Sequence, residues 1–242
     1  IKEDHHFNVM VGQEWVDNQS DGFSVVTRGQ SNDNLLTMST AARAESYTDT
    51  MNEARYLSFF GRAEYNYLSR YYADISLRRD ASSRFGVDSR WANFWSVSAA
   101  WRMTQEEFLH DLTWLNDLKI RASYGINGTL PNSYYSHLSL YGYGYNYQDK
   151  PGSAPTSVPN PDLSWEKNKN LNIGFDARLF DRLNITFDYY TRRTSDLLQD
   201  VPTSMAVGFQ TMLKNVGEMK NQGVEVDINV DVFKHSQVRW NT

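Results

Sequence analysis

A two-residue repeat of hydrophobicity runs through this chain and commits it to β-sheet. Residues two apart on a strand share one face, whereas a helix needs apolar residues at three- and four-residue spacing. Val224, Val226, Ile228, Val230 and Val232 interleave with Glu225, Asp227, Asn229 and Asp231. Leu171, Ile173, Phe175, Ala177 and Leu179 alternate with Asn170, Asn172, Asp176 and Arg178, and Leu183, Ile185, Phe187 and Tyr189 with Asn184, Thr186 and Asp188. Leu118, Ile120, Ala122 and Tyr124 stand against Lys119, Arg121 and Ser123. Trp95, Val97, Ala99 and Trp101 stand against Ser96, Ser98 and Arg102, and Ala73, Ile75 and Leu77 against Asp74, Ser76 and Arg78. Weaker runs lie near 5–15 and 55–67. Thr104 followed by Glu107 fits a capping box and predicts one short helix or turn.

The connections carry the next constraint. Three are tight: 67–70, 180–182 and 234–236. Three read as long and are rich in Gly, Pro, Ser, Asn and Asp: 17–52, 127–164 and 195–219. The stretches 81–90 and 104–116 are intermediate. Long and short connections therefore roughly alternate, so an up-and-down meander places its turns at one end and its loops at the other. That asymmetry belongs to outer-membrane barrels. The rival is a soluble β-sandwich or large sheet. Against it stand strands of about 10–14 residues and loops of about 25–38 residues, both long for a compact soluble domain. Trp91, Trp95, Trp101, Tyr124, Trp165, Tyr189 and Tyr190 gather toward strand ends, as membrane-interface girdles require.

Composition removes other classes. Aromatic residues make up 14% of the chain, too many for a disordered one. The net charge of −5 and the lack of any Lys/Arg-rich block argue against nucleic acid as a partner. The absence of cysteine excludes disulfides and thiolate metal sites. No run approaches the ~18 apolar residues of a membrane helix, which leaves a barrel open because barrel strands hide apolar residues by alternation.

The fold expected is thus all-β: an antiparallel up-and-down transmembrane β-barrel, of which about eight or nine strands are present. In lipid every backbone group must be paired, so the sheet must close. Ile173, Phe175, Ile185, Phe187, Val226, Ile228 and Val230 are expected to face lipid. The interleaved polar residues should form lumenal ladders of paired charge, with Lys119, Arg121, Asp74 and Arg78 among them.

Catalytic signatures are missing: there is no Gly-x-Ser-x-Gly elbow and no His-Glu-x-x-His. His5 and His6 are adjacent on a strand, point to opposite faces and cannot chelate one metal together. Asp17, Gln19, Asp21 and Gly22 mimic half of a calcium loop, but Arg28 stands where the bidentate Glu belongs. No cofactor or metal is expected, although the sequence leaves looser loop-bound calcium open. Gly142 and Gly144 lack the third glycine and following helix of a dinucleotide loop. They sit instead among Tyr134, Tyr135, Tyr141, Tyr143, Tyr145 and Tyr147. These tyrosines are the candidate contacts for a substrate or a covering partner, since tyrosine combines a flat apolar face with a hydroxyl; their bland reading is packing within the rim. Asp80, Ser82, Ser83 and Arg84 read as a hydrogen-bonded turn.

Six segments carry a family likeness: Tyr56–Tyr67 (YLSFFGRAEYNY), Ser76–Gly86 (SLRRDASSRFG), Phe94–Arg102 (FWSVSAAWR), Trp114–Gly125 (WLNDLKIRASYG), Leu163–Gly174 (LSWEKNKNLNIG) and Asn215–Glu225 (NVGEMKNQGVE). In this order they resemble the barrel of SusC/RagA-type TonB-dependent transporters of Bacteroidetes, over most of 53–234. The resemblance implies residues 1–242 of a partial TonB-dependent-receptor barrel domain, with the plug domain and remaining strands of a 22-stranded barrel outside it. It implies the outer membrane of a Gram-negative bacterium and a SusD-like surface lipoprotein as partner. Further implied are TonB acting through an N-terminal part that is absent here and import of oligosaccharides or peptides. The start shows no signal peptide, and Val238–Thr242 reads as a strand cut short, so both ends are expected to continue. Rival functions are a passive porin or adhesion barrel, a barrel enzyme and a soluble carbohydrate-binding β-domain.

Overall fold

The computed structural model describes residues 4–32, 34, 37–235 and 238–241. Thirteen strands follow one another: β1 (His5–Gln30), β2 (Ala41–Tyr67), β3 (Tyr71–Ser82), β4 (Trp91–Arg102), β5 (Leu115–Thr129), β6 (Tyr141–Tyr143), β7 (Ser153–Pro155), β8 (Glu166–Leu179), β9 (Leu183–Ser195), β10 (Leu198–Pro202), β11 (Thr211–Asn215), β12 (Glu218–His235) and β13 (Val238–Asn241). Nine form one sheet in the order β1-β2-β3-β4-β5-β8-β9-β12-β13, while β6-β7 and β10-β11 are separate hairpins within the long connections. All pairings in the large sheet are antiparallel, as in an up-and-down meander. Among the described residues the only helices are 3-10 turns, and none is long or apolar enough to cross a membrane.

The two-residue alternation survives as two chemically distinct faces. One row of directly opposed residues runs Tyr67, Tyr71, Trp101, Ile120, Phe175, Phe187, Val226. The next runs Tyr65, Ala73, Ala99, Ala122, Ile173, Tyr189, Val224. Ile228 lies opposite Ile185, and Val230 opposite Leu183, on the same side. Behind them, Asn8, Glu64, Asp74, Ser98, Ser123, Asn172, Tyr190 and Gly223 form a polar row.

Two of the tight connections, 68–70 and 180–182, are three-residue turns; of the one expected at 234–236, residues 234 and 235 are still in β12 and residue 236 lies outside the described residues. Leu68 and Ser69, and Phe180 and Asp181, have φ between 53° and 57°. Paired left-handed residues give the turn whose twist matches two antiparallel strands. The turns do not line up across the sheet. Measured from the Tyr67-to-Val226 row, β2 and β3 turn at once, β8 ends four residues beyond Phe175, and β12 ends nine beyond Val226. At about 3.3 Å per residue and about 4.8 Å between strands, that stagger corresponds to strands tilted by roughly 35–45°, the tilt a closing barrel requires.

Two readings of the sequence need correction here, the connection at 17–52 and the capping box at Thr104. The connection placed at 17–52 is mostly strand: β1 and β2 run 26 and 27 residues and pair as a ribbon well past Tyr56, where β3 stops pairing with β2. The half calcium loop lies inside β1, where Asp17 pairs with Arg55 at 3.2 Å. The capping box at Thr104 and Glu107 does not form: helical turns occur at Met103–Gln105 and Glu107–Leu109, but the Thr104 hydroxyl donates to Asp117 at 3.0 Å.

Candidate functional site

The site has two parts, the polar face of the sheet and the rim of loops at one end. On the polar face, charges of opposite sign meet across neighbouring strands. Arg62 on β2 reaches Asp74 on β3 at 2.6 Å and Glu64 at 2.8 Å. Arg78 bridges Asp80 at 2.7 Å and Glu14 on β1 at 2.8 Å. Arg121 on β5 spans two strands, meeting Asp176 on β8 at 3.2 Å and Asp188 on β9 at 2.5 Å. Gly174 makes that reach possible, because it stands between Arg121 and Asp188 and carries no side chain. The expected charge ladder is therefore present. Lys119 stands apart from it, its ammonium 5.1 Å from the Tyr72 ring. Such a wall is charged and internally paired, which suits a face turned to water or polar cargo.

Nearer the rim, Asn168 is almost fully buried at 1% exposure and ties three side chains together. Its carbonyl accepts from Arg192 at 3.1 Å and Thr194 at 2.8 Å, and its amide donates to Thr129 at 2.9 Å. Above it, Phe85, Phe94, Leu163 and Trp165 make a small apolar core. Trp165 donates its indole N–H to the Arg90 carbonyl at 3.0 Å. This core lies where β4 and β5 stop pairing, at Trp95 and Ile126. Trp165 is thus buried among loops rather than placed in an interface girdle, and Tyr190 sits on the polar face opposite Gly223 and Asn172.

The core knits three connections into one platform. Asn160 donates to the Leu213 carbonyl at 2.7 Å. Asn215 accepts from the Ser164 N–H at 2.8 Å and donates to the carbonyls of Ser164 at 2.7 Å and Asp196 at 3.0 Å. Arg84 donates to the Pro131 carbonyl at 2.8 Å, and the His137 imidazole lies 3.1 Å from the Arg84 carbonyl. Burial is the main influence on His137 and, with the nearby Arg90 charge, pushes its pKa below the usual range against the opposing effect of the Arg84 carbonyl.

Two of the six candidate tyrosines belong to this platform. Tyr134 stacks beneath the Arg84 guanidinium at 4.3 Å, and the Tyr135 hydroxyl accepts from the Glu53 N–H at 2.8 Å. The other four rise from it. Tyr141 and Tyr143 flank Gly142 on β6, which pairs with β7. Tyr147 and Lys150 close the hairpin over Gln148 and Asp149, both left-handed. Tyr141, Tyr143, Tyr145 and Tyr147 are all exposed, Tyr143 by 84%. Gly144, at φ 98°, supplies a bend that a side chain would resist. The hairpin's position within the platform could not be read from sequence, because three-residue strands carry no periodicity. Among the described residues no group of acids and histidines could hold a metal.

A staggered, tilted, antiparallel sheet with an apolar face, a charge-paired polar face and its long loops at one end defines the outer-membrane barrel class. Residues 3–242 match the family "TonB dependent receptor-like, beta-barrel", and the chain belongs to it. This is a family of Gram-negative outer-membrane transport proteins, not enzymes. The chain is 38% identical over 186 residues to TonB-dependent receptor P39 of Formosa agariphila, covering 76% of this chain and 18% of that protein. It is 32% identical over 244 residues to the TonB-dependent receptor SusC of Bacteroides thetaiotaomicron, covering 97% and 24%. A solved structure of the RagAB peptide transporter superposes with a TM-score of 0.88 at 34% identity, covering 100% of this chain and 27% of that one. The siderophore receptor PirA of Pseudomonas aeruginosa, at 15% identity and a TM-score of 0.59, shares the fold. The chain thus spans about a quarter of SusC and of the RagAB chain, and 18% of P39.

Proposed function

We propose that the chain is part of the wall of an outer-membrane active transporter that imports oligosaccharides or peptides. In this reading it works with a SusD-like surface lipoprotein and with energy relayed by TonB. The observation that carries the reading is the division of one sheet into an apolar face and a face of paired charge, with the long loops gathered at one end. Ile173, Phe175, Ile185, Phe187, Val226, Ile228 and Val230 share the apolar face and meet lipid, and Arg62, Asp74, Arg121, Asp176 and Asp188 line the lumen. Kinship to SusC and to the RagAB peptide transporter supports an uptake system with a surface lipoprotein.

Within that frame, Tyr141, Tyr143, Tyr145 and Tyr147 form the contact surface for cargo or lid, and Tyr134 and Tyr135 hold its base. Tyrosines bind with little loss of rotamer freedom and combine stacking with hydrogen bonding. The test is a triple substitution of Tyr141, Tyr143 and Tyr145 by Ala in the full-length protein. Normal barrel assembly with weakened uptake or weakened lipoprotein binding is expected. Wild-type uptake and lipoprotein binding in a normally assembled barrel would show that the hairpin is not a binding surface.

A further inference from the structure

The connection from β4 to β5 is longer than its place in the fold requires. It lies at the same end of the sheet as the three-residue turns at 68–70 and 180–182, yet it takes residues 103–114 to join adjacent strands. The surplus does not hang free. Glu106 turns back onto the apolar face, where one carboxylate oxygen accepts from the Tyr71 hydroxyl at 2.6 Å and from the Trp101 indole N–H at 3.1 Å. The other oxygen lies 3.6 Å from the Arg70 guanidinium. Phe108 sets its ring edge-on to Trp101, with centroids 6.5 Å apart. At the far end of the connection Trp114 packs against Phe180 at 6.1 Å, and its carbonyl accepts from the Phe180 N–H at 2.8 Å.

The Phe108 contact extends an aromatic file already on the apolar face: Tyr67 on Tyr71 and Tyr71 on Trp101, each pair 6.3 Å apart and nearly parallel. Phe108, Trp114 and Phe180 are nonetheless exposed, Phe108 by 64%. Large apolar rings held in place and left open need an occupant. Hydrogen bonds from Tyr71 and then Trp101 hold the Glu106 carboxyl below the usual carboxylate range, so it stays charged beside exposed rings. Exposed rings beside the charged side chains of Glu106, Arg70 and Asp111 match the boundary between acyl chains and headgroups, where amphipathic aromatic groups settle.

We propose that residues 103–114 form a foot that seats in the lipid headgroup boundary at the turn end of the barrel, with Phe108, Trp114 and Phe180 inserted and Glu106 fixing the foot to the wall. The occupant is lipid because the foot continues the apolar face and folds onto it rather than into the lumen. The inference rests on the reading of that face as lipid-facing. In it, Glu106 is a positioning residue: it turns two strand aromatics and a loop into one rigid edge.

The test uses the full-length receptor in phosphatidylcholine vesicles, with one spin-labelled cysteine at a time at Phe108, Ile228 or Asp111, and compares collision with oxygen and with a nickel chelate. The expected order places Ile228→Cys in hydrocarbon, Asp111→Cys in water and Phe108→Cys between them, its nickel collision rate several-fold below that at 111. A label at 108 as open to nickel as that at 111, with 228 still in hydrocarbon, overturns the foot and leaves the lipid-facing row standing. A label at 108 shielded from both reagents also overturns it, because the rings would then be buried against protein. Nickel access at 228 overturns the lipid-facing reading and the foot with it. Glu106→Leu should raise the label's mobility at 108, whereas Glu106→Gln, which keeps an acceptor, should not; equal mobility in both refutes the positioning role.

Discussion

Substituting Gly174 by Ala should damage the barrel wall out of proportion to one methyl group. A Cβ at this position would press into the Phe187 carbonyl oxygen and lie 2.5 Å from Asp188 Oδ1. The backbone oxygen cannot yield without disturbing the β8–β9 ladder, and the carboxylate cannot yield without leaving Arg121. Overpacking of this kind costs about 1–3 kcal/mol. Loss of the Arg121–Asp188 pair adds less. Its side chains are 34% and 23% exposed, so water screens it and about 0.2–1 kcal/mol is the relevant scale. The sum is about 1–4 kcal/mol, offset by the roughly 0.5–1 kcal/mol a strand usually gains on losing a glycine. The assay is urea unfolding of the full-length receptor from vesicles. Asn172→Ala, two residues away on the same face, serves as a control expected within about 0.5 kcal/mol of wild type. Gly174→Ala matching that control would refute the argument that glycine is required for Arg121 to reach across.

Three further outcomes are expected. Epitope tags inserted at 150 and 205 in the full-length protein should be labelled on intact cells and a tag at 181 should not; labelling at 181 with silence at 150 would invert the topology. His137 resists protonation in the folded rim while the unfolded chain takes up a proton near pH 6.5, so rim stability should fall as pH drops below about 6.5. Protease nicking within 130–165 should therefore quicken at about pH 5.5 relative to about pH 7.5, and the difference should shrink in His137→Gln. Asn215→Ala removes three bonds at the junction of two loops and should loosen the rim by about 1–3 kcal/mol, read as faster cleavage within 196–217 without a change in unfolding of the strands.

What could be read from the sequence follows from where periodicity is enforced. Val224 to Val232, Ile173 and Phe175, and Ile185 and Phe187 share one face, and wherever one face is apolar a one-residue slip would put charges on it. The turns at 68–69 and 180–181 were legible as gaps between two such runs. The β1–β2 ribbon was not, because Asn18, Ser20, Gly22 and Ser24 face Ala54, Asn52, Thr50 and Thr48 across it and carry no apolar alternation. Such residues read as loop although their backbones pair fully. The platform under the tyrosines was hidden for another reason. Phe85, Phe94 and the Leu163–Trp165 pair come from three separate stretches, and Trp165 alone looks like any aromatic at a strand end. The Glu106 contact with Tyr71 and Trp101 likewise joins residues that no local pattern connects.

The central claim is that one face of this sheet meets lipid and the other meets water, and a cysteine scan along β12 tests it most directly. Single cysteines at 223 to 230 of the full-length receptor, in its native membrane, would be challenged with a membrane-impermeant thiol reagent. Modification at 223, 225, 227 and 229, with protection at 224, 226, 228 and 230, is the outcome this account requires. Uniform modification along the strand, or the opposite phase, would contradict it.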